Sequence, residues 1–176
     1  MRVIAGELRG RRLVAPRGQA TRPTADRVRE ALFSILGDVS GLHVLDLFAG
    51  SGALGIESLS RGASEAVFVD NSARAVAAVK ANLEELGLEA KVHRRAALAF
   101  LDGASGKETF DLIFCDPPYD AAGRLAGPLA ERLPAILSEN ARIVTESDKR
   151  SPLLLPQPLL RERTYGDTRI AVHRGS

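Results

Sequence analysis

One cysteine, Cys115, and three histidines are all the soft metal ligands in this chain of 176 residues. A single cysteine excludes an intramolecular disulfide. With His43, His93 and His173 at no ligand spacing, no metal site is expected. Tryptophan is absent, and no apolar run approaches the roughly 18 residues needed to cross a bilayer. The opening "MRVIAGELRGRRL" carries charge early with no apolar block behind it, so no secretory signal is expected. These absences point to a soluble, cytoplasmic protein with no membrane partner. A hydrophobic content of 45% can bury one full core, with at most a small appendage.

What is present is arginine, concentrated at one end. Residues 1–36 hold eight: Arg2, Arg9, Arg11, Arg12, Arg17, Arg22, Arg27 and Arg29. They face only Glu7, Asp26 and Glu30. The other 140 residues carry 16 basic and 19 acidic side chains. The excess positive charge is thus confined to one fifth of the chain, and none of it there is lysine. The guanidinium fork suits bidentate phosphate contacts. A solvated tail would look similar, so the segment is an RNA-binding candidate only in company with a catalytic site.

Behind the basic opening, "RPTADRVREALFSILG" reads as a helix with Thr24 as cap and Gly37 as stop. Val28, Ala31, Leu32, Ile35 and Leu36 form one apolar stripe, leaving Arg27 and Arg29 off it and facing a partner. "RVIAGELRGRRLVAP" is a small hairpin broken by Gly6 and Gly10. From Leu42 strands and helices alternate: "HVLDLF", a glycine loop and a helix from Ala53; "AVFVD" and the helix "SARAVAAVKANLEELG"; the weak strand "KVHRR"; "FDLIFCD"; a helix through "AGPLAERLPAIL"; then "ARIVTES". Strands spaced by helices imply a doubly wound, mostly parallel α/β sheet. "LLRERTYGDTRIAVHR" adds an antiparallel hairpin turning at Gly166-Asp167. The expected division is 1–37 as a basic hairpin-and-helix extension and 38–176 as the catalytic domain.

Ligands bind beyond the carboxyl ends of such strands. Three strands end there in an acid: Asp46, ahead of Gly50 and Gly52, then Asp70, then Asp116. "DLFAGSGALG" spells G-x-G-x-x-G, and Asp70 stands at the offset of a ribose-binding acid. That pattern suits a nicotinamide enzyme as well as an S-adenosylmethionine enzyme, since both cofactors carry the ribose.

"CDPPYD" separates the two. Consecutive prolines fix the backbone and lack N–H groups, so Asp116 and the Pro117 carbonyl become two acceptors a few ångströms apart. They match the two hydrogens of an exocyclic amino group, with Pro118 holding the turn and Tyr119 offering a ring face to a planar base. Gripping both hydrogens stabilises the charge that moves onto nitrogen during methyl transfer. A hydride-transfer enzyme has no use for that arrangement. Cys115 lies within the apolar strand and reads as core, not as a nucleophile.

At "VLDLFAGSGALGIE", "DPPY", "RPTADRVREALFSIL" and "YGDTRI" the chain resembles the RsmD family, class I methyltransferases that modify a guanine amino group (N2) in small-subunit ribosomal RNA. The resemblance covers nearly the whole chain. It implies a Rossmann-like class I methyltransferase sheet and S-adenosylmethionine as cofactor. It implies that Asp46, Phe48, Gly50 and Gly52 border the methionine end, Asp46 reaching the ammonium through water. Asp70 would take the ribose hydroxyls and Asn71 would border the adenine. Many class I enzymes place an Asp or Asn after the third strand to meet the adenine amino group. Here Ala96-Ala97 stand there, so backbone near Ala97 must serve. Asp116, Pro117, Pro118 and Tyr119 would be the catalytic motif. Arg2, Arg9, Arg11, Arg12, Arg22, Arg27 and Arg29 would grip small-subunit RNA, free or in a partly assembled subunit. A monomer is expected, since the arm already supplies a grip. Two other readings compete: a nicotinamide oxidoreductase, which lacks an evident hydride-site acid or base, and a non-catalytic RNA-binding factor, against which the intact DPPY argues.

Overall fold

The computed structural model describes residues 1–16, 23–118 and 120–175. Seven strands form one sheet: β1 (His43–Asp46), β2 (Glu65–Asp70), β3 (Lys91–Arg94), β4 (Phe110–Cys115), β5 (Leu137–Asp148), β6 (Leu159–Tyr165) and β7 (Thr168–Arg174). Their order is β3-β2-β1-β4-β5-β7-β6. β1 to β5 run parallel, whereas β7 is antiparallel to both β5 and β6. β1 and β4 sit centrally and read as continuous apolar runs because both faces are covered. Phe68, Phe110, Phe114, Leu45, Leu112 and Ile113 are fully buried.

The helices are α1 (Pro23–Leu36), α2 (Ala53–Ser60), α3 (Ala73–Leu86), α4 (Ala97–Ala104) and α5 (Ala122–Arg132), with a 3-10 turn at Leu133–Ile136. They divide the interior into two layers. One joins Val28, Leu32, Phe33 and Leu36 of α1 to Ile56, Val79 and Leu83 and to Val44, Phe68, Leu112, Phe114 and Val144 of the sheet. The other joins Phe100, Leu101, Leu129 and Leu133 to Leu45, Val67, Val69 and Ile113. Alternate residues of each strand serve opposite layers, as a pleated strand requires.

Several expectations change at their edges. α1 begins at Pro23, a residue suited to the first helical position, so Thr24 falls in the first turn and not at the cap. The segment through Pro128 and Pro134 is not one helix. α5 contains Pro128 and ends at Arg132, and Pro134 falls in the 3-10 turn. α4 has no counterpart in the sequence expectation: its cap, Ala96, makes no side-chain hydrogen bond. α3 matches closely, with Ser72 at its cap and Gly87 left-handed at φ 66°.

The N-terminal arm is part of the first layer. Val3 and Leu13 are buried in the same cluster as α1, and an antiparallel bridge joins Arg2 to Arg12. Gly6, at φ +82°, lies so close to α2 that a Cβ there would fall 1.7 Å from the Ser60 carbonyl oxygen. Only glycine fits that approach.

Candidate active site

The tips of β1, β2 and β4 stand side by side because register aligns them: Asp46 pairs with Phe68 of β2 and Phe114 of β4. The loop after β1 is strapped to its neighbours. Leu47 N–H donates to the Phe114 carbonyl at 3.1 Å, and Ala49 N–H to that of Val69 at 3.0 Å. Gly52, left-handed at φ 79°, leads into α2. A Cβ at Gly55 would come within 2.3 Å of the Phe68 ring, so this glycine serves helix-on-sheet packing. Gly50 differs: at φ +56°, a Cβ there would meet nothing within 4 Å. The loop therefore turns an open face outward at Gly50.

Asp70 holds this loop against the next turn. Its Oδ2 accepts from Gly50 N–H at 2.9 Å and its Oδ1 from Ser72 N–H at 2.8 Å. Each carboxylate oxygen retains a lone pair for a further donor. Asn71 beside it is exposed, Phe48 is half-buried against the second core layer, and Ala97 opens α4 half-buried.

Asp46 is 2% exposed, and its Oδ2 accepts one hydrogen bond, from Gly55 N–H at 3.0 Å. Burial, with Asp70 nearby, pushes its acid up to about 7 against that hydrogen bond. Asp116 follows β4, and no donor or cation meets its carboxylate among the described residues. Withdrawal from water, then the neighbouring Glu146 and Asp46, raise its pKa well above the ordinary range. Pro117 is buried and Pro118 exposed. The Pro118 carbonyl accepts from Ala121 N–H at 2.8 Å, closing the turn into α5. Among the described residues the Pro117 carbonyl has no such donor. Tyr119 lies outside the described residues. Cys115 is buried, its thiol pushed out of the ordinary range by burial, as a core cysteine should be.

Glu146 is a site residue that the sequence reading missed. Cys115 pairs with Thr145, so Asp116 and Glu146 sit together just beyond that pair. Burial raises the Glu146 acid as well. Both acids line a narrow slot, too tight for a water molecule, walled otherwise by Leu32 of α1, Leu54 of α2, Phe114, Cys115, Val144 and Ile170. The period-2 alternation of Val144 and Glu146 was the available signal. Without the β4–β5 register it named no neighbour.

Of the arginines, Arg2, Arg9, Arg11, Arg12 and Arg27 are exposed; Arg22 lies outside the described residues. Arg11 leans on α3, donating to the Glu85 carbonyl at 2.9 Å. Arg2, Arg9 and Arg27 line a cavity of about 450 Å³ with Val3, Ile4, Gly10, Asp26 and Glu30. Arg29 is a correction. It is 5% exposed, pairs with Asp26 at 3.0 Å and Glu57 at 3.6 Å, and donates to the Arg2 carbonyl. Glu57, fully buried on α2, also accepts from the N–H groups of Ile4 and Ala5 and from Arg61. Arg29 therefore fastens the arm to the body and does not face a partner. Its position off the apolar stripe did not expose it, because the arm covers that side of the helix.

The strand order, with its one antiparallel strand, the glycine loop after β1 and the acid ending β2, is the architecture of the class I S-adenosylmethionine-dependent methyltransferases. The residues fit that cofactor. Gly50 faces open space, Asp70 has lone pairs left for hydroxyl groups, and the acids at the strand tips suit a cation. The chain belongs to the family described as Conserved hypothetical protein 95, the RsmD family, whose model matches residues 1–174. It is 42% identical to YlbH of Bacillus subtilis over 99% of this chain and 98% of that protein. It is 36% identical to the Ribosomal RNA small subunit methyltransferase D of Haemophilus influenzae, over 94% and 89%. The solved structure of yhhF from Escherichia coli superposes with a TM-score of 0.83 at 32% identity, covering 99% and 97% of the two chains.

Proposed function

We propose that this protein transfers a methyl group from S-adenosylmethionine to the exocyclic N2 amine of a guanine in small-subunit ribosomal RNA. The family and its relatives support ribosomal RNA methylation. The observation that carries the amine as acceptor is Asp116, half-buried and without a donor among the described residues, next to Pro117, whose carbonyl is likewise unmet there.

When bound, S-adenosylmethionine supplies a methyl group on a sulfonium sulfur, which departs as a neutral thioether. The chain's own groups do the rest. Asp70 would take the ribose hydroxyls while keeping its two backbone donors. Gly50 and Gly52 would let the loop lie against the methionine end, with Phe48 beside it. Asp46 would reach its ammonium through water, and Asn71 and the backbone at Ala97 would border the adenine. Asp116 and the Pro117 carbonyl accept from the two amine hydrogens and draw the nitrogen lone pair out of conjugation. As the carbon–nitrogen bond forms, positive charge grows on nitrogen and gives Asp116 the counter-charge that burial withholds. That interaction is stronger in the transition state than before it, which is what accelerates transfer. The amine then releases a proton toward Asp116. Pro118 fixes the turn, and Tyr119, by its place in the motif, stacks on the base.

The target must leave its stack, costing a few kcal/mol and least in a loop. Arg2, Arg9, Arg11, Arg12, Arg22 and Arg27 would hold the flanking backbone. The test is methyl transfer from labelled cofactor to small-subunit RNA and to partly assembled subunits. Labelled N2-methylguanosine is expected, and folded protein that labels neither substrate refutes the reading.

A further inference from the structure

Base identity calls for more than a grip on one amine. Adenine and guanine both offer an exocyclic NH2, and the Asp116–Pro117 pair suits either. What distinguishes them is the neighbouring ring nitrogen: N1 of guanine carries a hydrogen, whereas N1 of adenine is an acceptor. A reader of guanine therefore needs a second acceptor beside the first, at the spacing of adjacent atoms on one base edge.

β5 supplies one. The Cys115–Thr145 pairing places Asp116 and Glu146 on adjacent strands, both just past the pair. Both line the same slot, whose other walls are apolar: Leu32, Leu54, Phe114, Val144 and Ile170. Glu146 is held by no cation and accepts no hydrogen bond among the described residues. Its β7 partner is Ile170, which offers no charge. Withdrawing an acid from water without a partner is costly even when it is half-buried, and no described residue pairs with this one. The slot is too narrow to admit a base, and both acids are partly exposed, so a base would offer them its edge from outside.

Building on the amine-methyltransferase reading above, we infer that Glu146 accepts the N1–H of the target guanine alongside the Asp116 grip on its N2 amine, and thereby excludes adenine. Two parallel acceptors match the N1–H and N2–H donors. When Glu146 is ionised, its carboxylate would face the adenine N1 lone pair, and two acceptors repel; the preference for guanine should therefore weaken as falling pH protonates this raised acid, which then donates. Leu32 of α1 forms one wall, so the helix behind the arginine arm also shapes the pocket that chooses the base.

The test titrates wild-type protein and Glu146→Gln, each saturated with S-adenosylhomocysteine, with guanosine, adenosine and 2-aminopurine riboside. The last keeps the N2 amine but has an acceptor at N1. Wild type should prefer guanosine to both others by about tenfold or more, the loss expected when a hydrogen bond to a charged group is removed. In Glu146→Gln, guanosine should weaken by about tenfold and the preference over 2-aminopurine riboside should fall toward unity. S-adenosylhomocysteine should bind both proteins alike, which separates this effect from misfolding. A preference unchanged in the variant overturns the role of Glu146 while leaving the methyltransferase reading intact. A wild type that binds S-adenosylhomocysteine but shows no preference for guanosine overturns the role as well. Failure to bind S-adenosylhomocysteine at all strikes the broader reading instead.

Discussion

Two regions of this molecule bury charge, and they treat it in opposite ways. Where the arm meets α2, Glu57 is surrounded: Arg29, Arg61 and the N–H groups of Ile4 and Ala5 all reach it. At the strand tips, buried Asp46 and half-buried Asp116 and Glu146 meet one donor and no cation among the described residues, and all three acids are raised. A compensated buried charge fixes geometry. An uncompensated one costs stability and waits for something from outside, which is why perturbed acids gather at functional sites. The arm is thus built to stay, and the tips are built to bind.

Removing Glu57 should break the comparison most visibly. Glu57→Ala removes one of the two carboxylates that Arg29 meets, leaving it Asp26, and strips the Ile4 and Ala5 N–H groups of their acceptor, at about 1–3 kcal/mol for each donor left unsatisfied. Chemical denaturation checks this; a variant as stable as wild type would mean that the arm is held by apolar packing alone. Asp116→Ala should do the reverse. Stability should hold or rise, while methyl transfer should fall by about 10²–10³, as when one preorganised transition-state contact is lost. A variant that keeps its rate at unchanged protein concentration takes Asp116 out of the chemistry.

Acidity sharpens the same contrast. The folded pKa of Asp46 is raised from 3.8 to about 7, so between those values the native protein holds a proton that the unfolded chain gives up. Stability of the ligand-free protein should therefore be greatest at the acid end of that window and fall as pH rises through it, by up to about 1.4 kcal/mol per pH unit for each such group. Asp46→Asn should flatten the fall by one group's share, and a cationic ligand should do so too. A denaturation series from pH 4 to 8 with the opposite slope would contradict the burial of these acids. The smallest effects belong to the exposed arginines. If four of them meet phosphates, the logarithmic salt slope of RNA affinity should be near −3, and replacing Arg2, Arg9, Arg12 or Arg27 should each reduce it by about 0.7.

The two regions also differ in how far they can be read from sequence. Asp46, Asp70 and Asp116 were legible because each ends an apolar run, and strand ends of a parallel sheet converge. The glycine loop and the two prolines state their backbone demands locally. Arg29, Glu57 and Glu146 were not legible, since each takes its meaning from a partner distant in the chain. Arg29 looked exposed from its helix alone, and only the arm laid across it shows otherwise. Glu146 looked like the polar end of a strand until register set it beside Asp116. α4 was missed for the opposite reason: its caps are alanine and serine without side-chain bonds, and its helical character rests on packing Phe100 and Leu101 into the second layer.

The most direct test of the proposed chemistry is mass spectrometry of nucleosides from small-subunit RNA incubated with the protein and isotopically labelled S-adenosylmethionine. The label should appear on the exocyclic N2 of guanine, and should vanish with Asp116→Ala while the cofactor still binds. Label on a ring nitrogen, a ribose or a cytosine carbon would contradict the assignment of Asp116 and Pro117 to an amine.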